Sequence, residues 1–292
     1  MSTLDLEARR RGIGGSDIAV LLGVNPFKTP YELYEEKVNG LQHDFSNNEK
    51  VMWGHLLEEP IAKRYEQLTG KEVITSSIVS HPEYPFLLAN PDRLIAGKKH
   101  GLEIKAVGWN QEHNWGESGS EKIPEYYHAQ ISHYMLVLDY DRWDVAALIG
   151  GQELRLYSFY RDFDMDEEII KVAADFWLNH VEKKIEPLKD YAKYGVQHYI
   201  KKKYSVISES SIELSQEYLE LANQLEELKE LSSVTKKKQC EVEAKILDAI
   251  GEAGKAILPD GRVFCRKRIE RKAYQVPASS YNTLTLKEMM HE

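Results

Sequence analysis

The sequence predicts an α/β (α+β) protein, a central mixed sheet flanked by helices, followed by a helical and hairpin extension. Three patterns carry that expectation. Up to about residue 200, helix-period apolar segments with capping residues alternate with short runs rich in β-branched and aromatic residues, as in helices packed on a sheet. From Leu214 the period changes to alternating spacings of four and three, the seam of a coiled coil or helical hairpin. A basic stretch around a Pro-Asp-Gly turn follows. The 292 residues suffice for one large domain and an appendage, and the predicted division is 1–205 and 206–292.

The first helix is expected after Gly12-Ile13-Gly14-Gly15, with Ser16 or Asp17 as its cap and Ile18, Ala19, Leu21 and Leu22 on its apolar face. Thr29-Pro30 opens a second that runs to Gly40, since proline is favoured at a first helical position and glycine after the last. A third runs from about Asn48 to Leu68 and stops at Thr69-Gly70. Two β-rich stretches follow, 71–80 and 86–107, then a Gly/Ser-rich loop at 116–120. Pro124 starts a helix carrying Tyr127, Ile131, Tyr134, Met135 and Leu138. Trp143 to Ile149 and Glu153 to Phe159 read as strands joined at Gly150-Gly151, and 166–184 as an amphipathic helix.

In the extension the seam comprises Leu214, Tyr218, Leu221, Leu225 and Leu228 and resumes at Val242 and Ile246. It passes through polar Ser232, Thr235 and Gln239, so a break near 232–238 is expected. Pro259-Asp260-Gly261 turns a hairpin whose second arm, 262–274, is basic. Arg266 and Arg268 alternate with Lys267 along that arm and are candidate DNA contacts.

Composition narrows the function. A net charge of -9 argues against coating DNA through a uniformly basic surface, yet allows an enzyme with a localised basic channel. No apolar run approaches the ~20 residues that span a bilayer, and Asp5, Glu7 and Arg9 to Arg11 do not make a signal peptide, so a cytoplasmic protein is expected. Cys240 and Cys265 are too few for a four-cysteine zinc or iron–sulfur site and form no disulfide framework.

The chemistry concentrates in residues 86–107. Phe86 to Ile95 reads as a strand, Ala96 to Gly101 as a turn and Leu102 to Val107 as the returning strand. A turn centred on Gly97 and Lys98 sets Asp92 opposite Glu103, with Cβ atoms roughly 5 Å apart. Glu103 and Lys105 share one face while Ile104 points to a core on the other. Facing carboxylates repel unless a cation lies between them. Mg²⁺, or Mn²⁺ in its place, suits such oxygen ligands, and Lys105 is then placed to orient or help deprotonate a water attacking a phosphate. A surface charge ladder is the ordinary alternative for so short a motif.

Three further features surround this pair. Glu58, among Leu56, Leu57 and Ile61, reads as an inward carboxylate or a helix-surface residue. Gln130 sits on a later helix, where an amide can hold a water or phosphate. Arg9, Arg10 and Arg11 precede Ser16 in a glycine-rich turn suited to a terminal phosphate, or form a plain basic tail.

In order, the stretches RRRGIGGSD (from Arg9), WGHLLE (from Trp53), NPDR (from Asn90), EIK (from Glu103) and AQISHYM (from Ala129) resemble the YqaJ-type viral recombinase family, the lambda-exonuclease-like branch of the PD-(D/E)xK nuclease superfamily. The resemblance covers about Arg9 to Val181 and implies a restriction-endonuclease-like core. It implies that Asp92, Glu103 and the Ile104 backbone carbonyl hold Mg²⁺, that Lys105 positions the water, and that Glu58 and Gln130 complete the site. Ser16 with one arginine, Arg9 by gapless alignment or else Arg10 or Arg11, matches the pocket for a DNA 5′-phosphate. The implied activity is 5′→3′ exonucleolysis of linear duplex DNA, leaving 3′ single strands for phage-type recombination, in a ring-shaped trimer working beside a single-strand annealing protein. An endonuclease or repair nuclease on the same fold, and a catalytically silent DNA-binding or assembly module, are the competing readings.

Overall fold

Capping chemistry sets where the helices begin, and the computed structural model describes residues 10–40 and 48–268. Helix α1 (Gly15–Leu21) starts earlier than expected: Gly14 is the cap, and Asp17 reaches back to accept the Gly14 N–H at 3.0 Å. Ser16 therefore lies in the first turn. Thr29 caps α2 (Pro30–Val38) in a reciprocal box, its hydroxyl accepting the Glu32 N–H while the Glu32 carboxylate accepts the Thr29 N–H. Asn48 caps α3 (Glu49–Thr69), which Gly70 closes in the left-handed conformation.

The strands β1 (Val73–Ile74), β2 (Val79–Ser80), β3 (Leu88–Ala89), β4 (Arg93–Ile95) and β5 (His100–Val107) precede α4 (Glu125–Leu138), β6 (Arg142–Ile149) and β7 (Glu153–Tyr160). Five of them form one mixed sheet, in the order β1-β4-β5-β6-β7, in which only β5 and β6 are parallel. That pair needs a crossover, which contains α4. The run 86–95 is not one strand. Leu88–Ala89 pairs with β2 and Arg93–Ile95 with β1 and β5, the division falling at Pro91, which has no N–H to give a ladder.

Alternation along β6 distributes two cores. Trp143, Val145, Ala147 and Ile149 join Ile18, Ile131 and Met135 of α1 and α4 on one face. Ala146 joins Ile95, Leu102 and Ile104 beneath Ile61, Ala62 and Tyr65 of α3 on the other. Helix α5 (Phe163–Asp175) begins before residue 166 because Asp162 caps it, accepting the Asp164 N–H at 3.0 Å. It passes into a π turn over Phe176–Val181 and does not continue to 184. A helix absent from the sequence reading, α6 (Tyr194–Lys203), packs Val196 and Tyr199 on Tyr31.

The chain divides into two compact units after Lys203. In the second, α7 (Glu217–Ile250) is unbroken, so the expected interruption at 232–238 is absent, and Leu214 precedes the helix. Strands β8 (Lys255–Ile257) and β9 (Val263–Cys265) make the hairpin. The basic arm is strand only to Cys265: Arg266 and Arg268 lie beyond it, and residues 269–274 lie outside the described segments. No helix among the described residues is long and apolar enough to cross a membrane.

Candidate active site

The β4–β5 register pairs Arg93 with Leu102 and Leu94 with Gly101, so one step further along the same diagonal Asp92 faces Glu103. The ladder stops there. In place of a backbone partner, the Asp92 carboxylate accepts the Ile104 N–H at 2.7 Å, which fixes the acid against the centre of β5. Period-two alternation sends Ile104 into the α3 core and turns Glu103 and Lys105 towards α4.

Glu103 is buried, and its two oxygens differ. Oε1 accepts from Lys105 Nζ and, at 2.7 Å, from Gln130 Nε2, whereas Oε2 is buried with no partner. Gln130 also donates to the Tyr134 hydroxyl at 3.0 Å, and Lys105 Nζ lies 4.7 Å from the centre of the Tyr127 ring. Tyr127, Gln130 and Tyr134 are spaced by three and four, one face of α4. The spacing was available in the sequence, although only Gln130 was singled out from it.

The electrostatics are those of a site short of positive charge. Burial, then the neighbouring Asp92, pushes the Glu103 carboxyl well above the usual carboxylate range. Desolvation raises Asp92 too, against the pull of Lys105. Burial works against the Lys105 ammonium, but Glu103 and Asp92 outweigh it and hold the group above its ordinary value. Lys105 is thus a cation at neutral pH, suited to orienting a water rather than taking its proton.

Glu58 comes to the edge of this cluster on α3, where the Arg93 guanidinium holds it. Arg93 also donates to Glu59 at 3.0 Å and to the Asp92 carbonyl oxygen at 2.5 Å. Among the described residues no three His, Cys, Asp or Glu side chains converge as a metal-holding group. The pair that does oppose, Asp92 and Glu103, fits a divalent cation by chemistry: hard oxygen donors, mutual repulsion and a buried oxygen that no protein group satisfies.

The glycine-rich turn lies alongside. A Cβ on Gly15 would stand 2.7 Å from a Tyr134 ring carbon and 2.8 Å from Gln130 Cγ, so only glycine lets α1 approach α4 at the level of Gln130. The neighbouring Ser16 is exposed in the first turn of α1. Arg11 is exposed; Arg10 donates to the Gly40 carbonyl at 2.6 Å; Arg9 lies outside the described residues. In the second unit, Arg266 is tied to the segment between α7 and β8, its N–H donating to the Gly254 carbonyl at 2.9 Å and its guanidinium to that of Gly251.

Residues 6–141 match the model of the YqaJ-like viral recombinase domain. The chain is 35% identical over 252 residues to the uncharacterized protein YqaJ of Bacillus subtilis (strain 168), a match covering 82% of this chain and 77% of that one. In fold it is similar to the crystal structure of an alkaline exonuclease from Laribacter hongkongensis, with a TM-score of 0.54, 19% identity, and coverage of 70% of this chain and 98% of that one. The dAMP complex of the same exonuclease gives a TM-score of 0.53 at 20% identity, with the same coverage.

Proposed function

The chain belongs to the YqaJ-like viral recombinase family, and from that membership and the geometry around Glu103 we propose that it is a Mg²⁺-dependent 5′→3′ exonuclease acting on linear duplex DNA. The observation that carries the reading is the unpartnered, buried Glu103 Oε2 beside Asp92. What sets Glu103 apart from other buried acids is that its bare oxygen lies opposite a second desolvated acid across the β4–β5 register.

Asp92, Glu103 and the Ile104 carbonyl would hold the metal, with Glu58 as a further carboxylate at the edge. Bound Mg²⁺ supplies Lewis-acid polarisation of the scissile phosphate and a more acidic water. The chain's own groups do the rest. Glu103 Oε1 and the Tyr127 ring fix the Lys105 ammonium, which orients the attacking water and offsets charge building on phosphorus. Gln130, held between Glu103 and Tyr134, presents its amide to water or phosphate. Water adds to phosphorus and gives up a proton to solvent, the bond to the neighbouring 3′-oxygen breaks with that oxygen taking up a proton, and a 5′-mononucleotide leaves.

Ser16, with Arg11 or Arg9, receives the terminal 5′-phosphate and so sets polarity. The same reading includes a ring-shaped trimer that leaves 3′ overhangs to a single-strand annealing protein for phage-type recombination. The deciding experiment compares linear duplex bearing 5′-phosphate with the same duplex bearing 5′-hydroxyl, in Mg²⁺ and in EDTA. Release of mononucleotides from phosphorylated ends in Mg²⁺ only is expected. Internal cleavage of a closed circle would point to an endonuclease instead.

A further inference from the structure

Phe27, in the turn between α1 and α2, is 73% exposed, yet the backbone around it is fastened at several points. The Val24 and Asn25 N–H groups both donate to the Ala19 carbonyl, at 3.1 and 3.0 Å, and the Asn25 side chain accepts the Phe27 and Lys28 N–H groups at 2.7 and 3.1 Å. Lys28 is paired with Glu36 of α2 at 2.8 Å. The turn thus holds a large apolar ring in one place without burying it, so the ring gains little from the hydrophobic effect there.

That ring is joined to the acid pair by a row of aromatic contacts. Phe27 meets Tyr126, at the start of α4, in a T-shaped contact with centroids 5.8 Å apart; Tyr126 lies 4.3 Å from Tyr127; and Tyr127 is the ring beside which the Lys105 ammonium sits. Tyr126 and Tyr127 are half-buried, so the row opens to solvent at Phe27. A firmly held, open aromatic ring a few contacts from groups suited to a phosphodiester matches what a nucleobase stacks on, and such stacking tolerates any sequence because every base has a π face. We infer, resting on the exonuclease reading above, that Phe27 is a stacking platform for a base near the 5′ end of the strand being digested. It is a substrate-positioning residue: it seats the end of the strand while the groups around Glu103 do the chemistry.

The test measures binding of the full-length chain in EDTA to 5′-phosphorylated linear duplex, with an abasic residue placed in turn at each of the first few positions of the 5′-ended strand. In the wild-type protein one position should weaken binding by about tenfold, the scale of a single base–aromatic stack. Phe27→Ala should lose the same factor on intact DNA and become indifferent to that position, since both changes remove one contact. Phe27→Trp should restore affinity and the abasic profile together. A flat profile in the wild type, or the same profile in wild type and Phe27→Ala, would overturn the inference whatever happens to overall affinity. Digestion by the wild-type protein in Mg²⁺, followed in parallel, separates the two readings. Digestion without a Phe27-dependent profile removes the platform and leaves the exonuclease, whereas a Phe27-dependent profile without digestion removes the exonuclease and leaves the platform.

Discussion

Two buried acids on neighbouring strands of one sheet have opposite fates. Asp144, on β6, faces the α3 side: its Oδ2 accepts from the Tyr65 hydroxyl at 2.5 Å and from Lys71 Nζ at 2.6 Å, and its Oδ1 accepts from Ser158 at 2.5 Å with His100 Nε2 at 3.0 Å. Burial opposes its charge, but the donors from His100, Lys71, Ser158 and Tyr65 hold the carboxyl far below the usual range. Glu103, on β5, faces α4 with one oxygen satisfied and the other bare, and its carboxyl is driven up. The residue class and the depth are alike; the supply of donors is not. At Glu103 the incomplete set lies opposite a second desolvated acid on the neighbouring strand, and that combination marks a place suited to a cation.

The sharpest way to break that comparison is to neutralise each acid in turn. Asp92→Asn or Glu103→Gln should remove Mg²⁺-dependent digestion down to assay background, while metal-free stability holds or rises because a carboxylate repulsion is relieved. Digestion near the wild-type rate would sink the metal assignment. Asp144→Asn should do the reverse. It leaves Lys71 facing a neutral amide and breaks a buried network, a loss of about 3–5 kcal/mol in urea unfolding, with specific activity of the folded fraction retained. If stability stays at the wild-type value, the Asp144 network is not what anchors the α3 side of the sheet.

A gentler comparison uses pH in EDTA. Glu103 holds its proton in the folded protein above its ordinary value of 4.5, where the unfolded chain has already released it. Its contribution is therefore present below that value and lost as pH rises through the folded pKa. Asp144 runs the other way: its folded value lies below the ordinary 3.8, so its contribution is present above that and lost on acidification. Glu103→Gln should flatten the alkaline side of the urea-midpoint profile and Asp144→Asn the acid side. Identical profiles for both variants would erase the distinction.

What the sequence made legible follows from how local the determinant is. The helix ends at Thr29, Asn48 and Gly70 and the Asp92–Glu103 register were readable because caps and short hairpins are set by neighbours in the chain. The division of 86–95 between two sheets was not, since Leu88–Ala89 finds β2 only in three dimensions. Helix α6 is short, and the partner on which Val196 and Tyr199 pack, Tyr31, lies far back in the sequence, so its reading depends on a long-range contact. The Asp144 cluster draws its partners from α3, the loop after it, β5 and β7, and no spacing announces it. The break expected in α7 failed for another reason: polar Ser232, Thr235 and Gln239 weaken a seam without interrupting backbone hydrogen bonds.

The smallest expected effect concerns Arg93, which sits between the two kinds of acid. Quoted within the NPDR stretch but given no role there, it satisfies Glu58 and Glu59 from α3 and the Asp92 carbonyl at once, and so plays for Glu58 the part that Lys71 plays for Asp144. If Glu58 is held in reserve in this way, Arg93→Ala frees a carboxylate at the edge of the Asp92–Glu103 pair. Glu59 is exposed and Glu58 partly so, so loss of these ion pairs should cost little stability in EDTA. The extra negative charge should tighten Mg²⁺ or Mn²⁺ binding by up to about tenfold, read as the metal midpoint of a thermal-stability titration rather than as activity. Weaker metal binding in Arg93→Ala would mean that the guanidinium positions Glu58 for the metal instead of withholding it, and the contrast between a satisfied acid and a waiting one would then stop at Glu103.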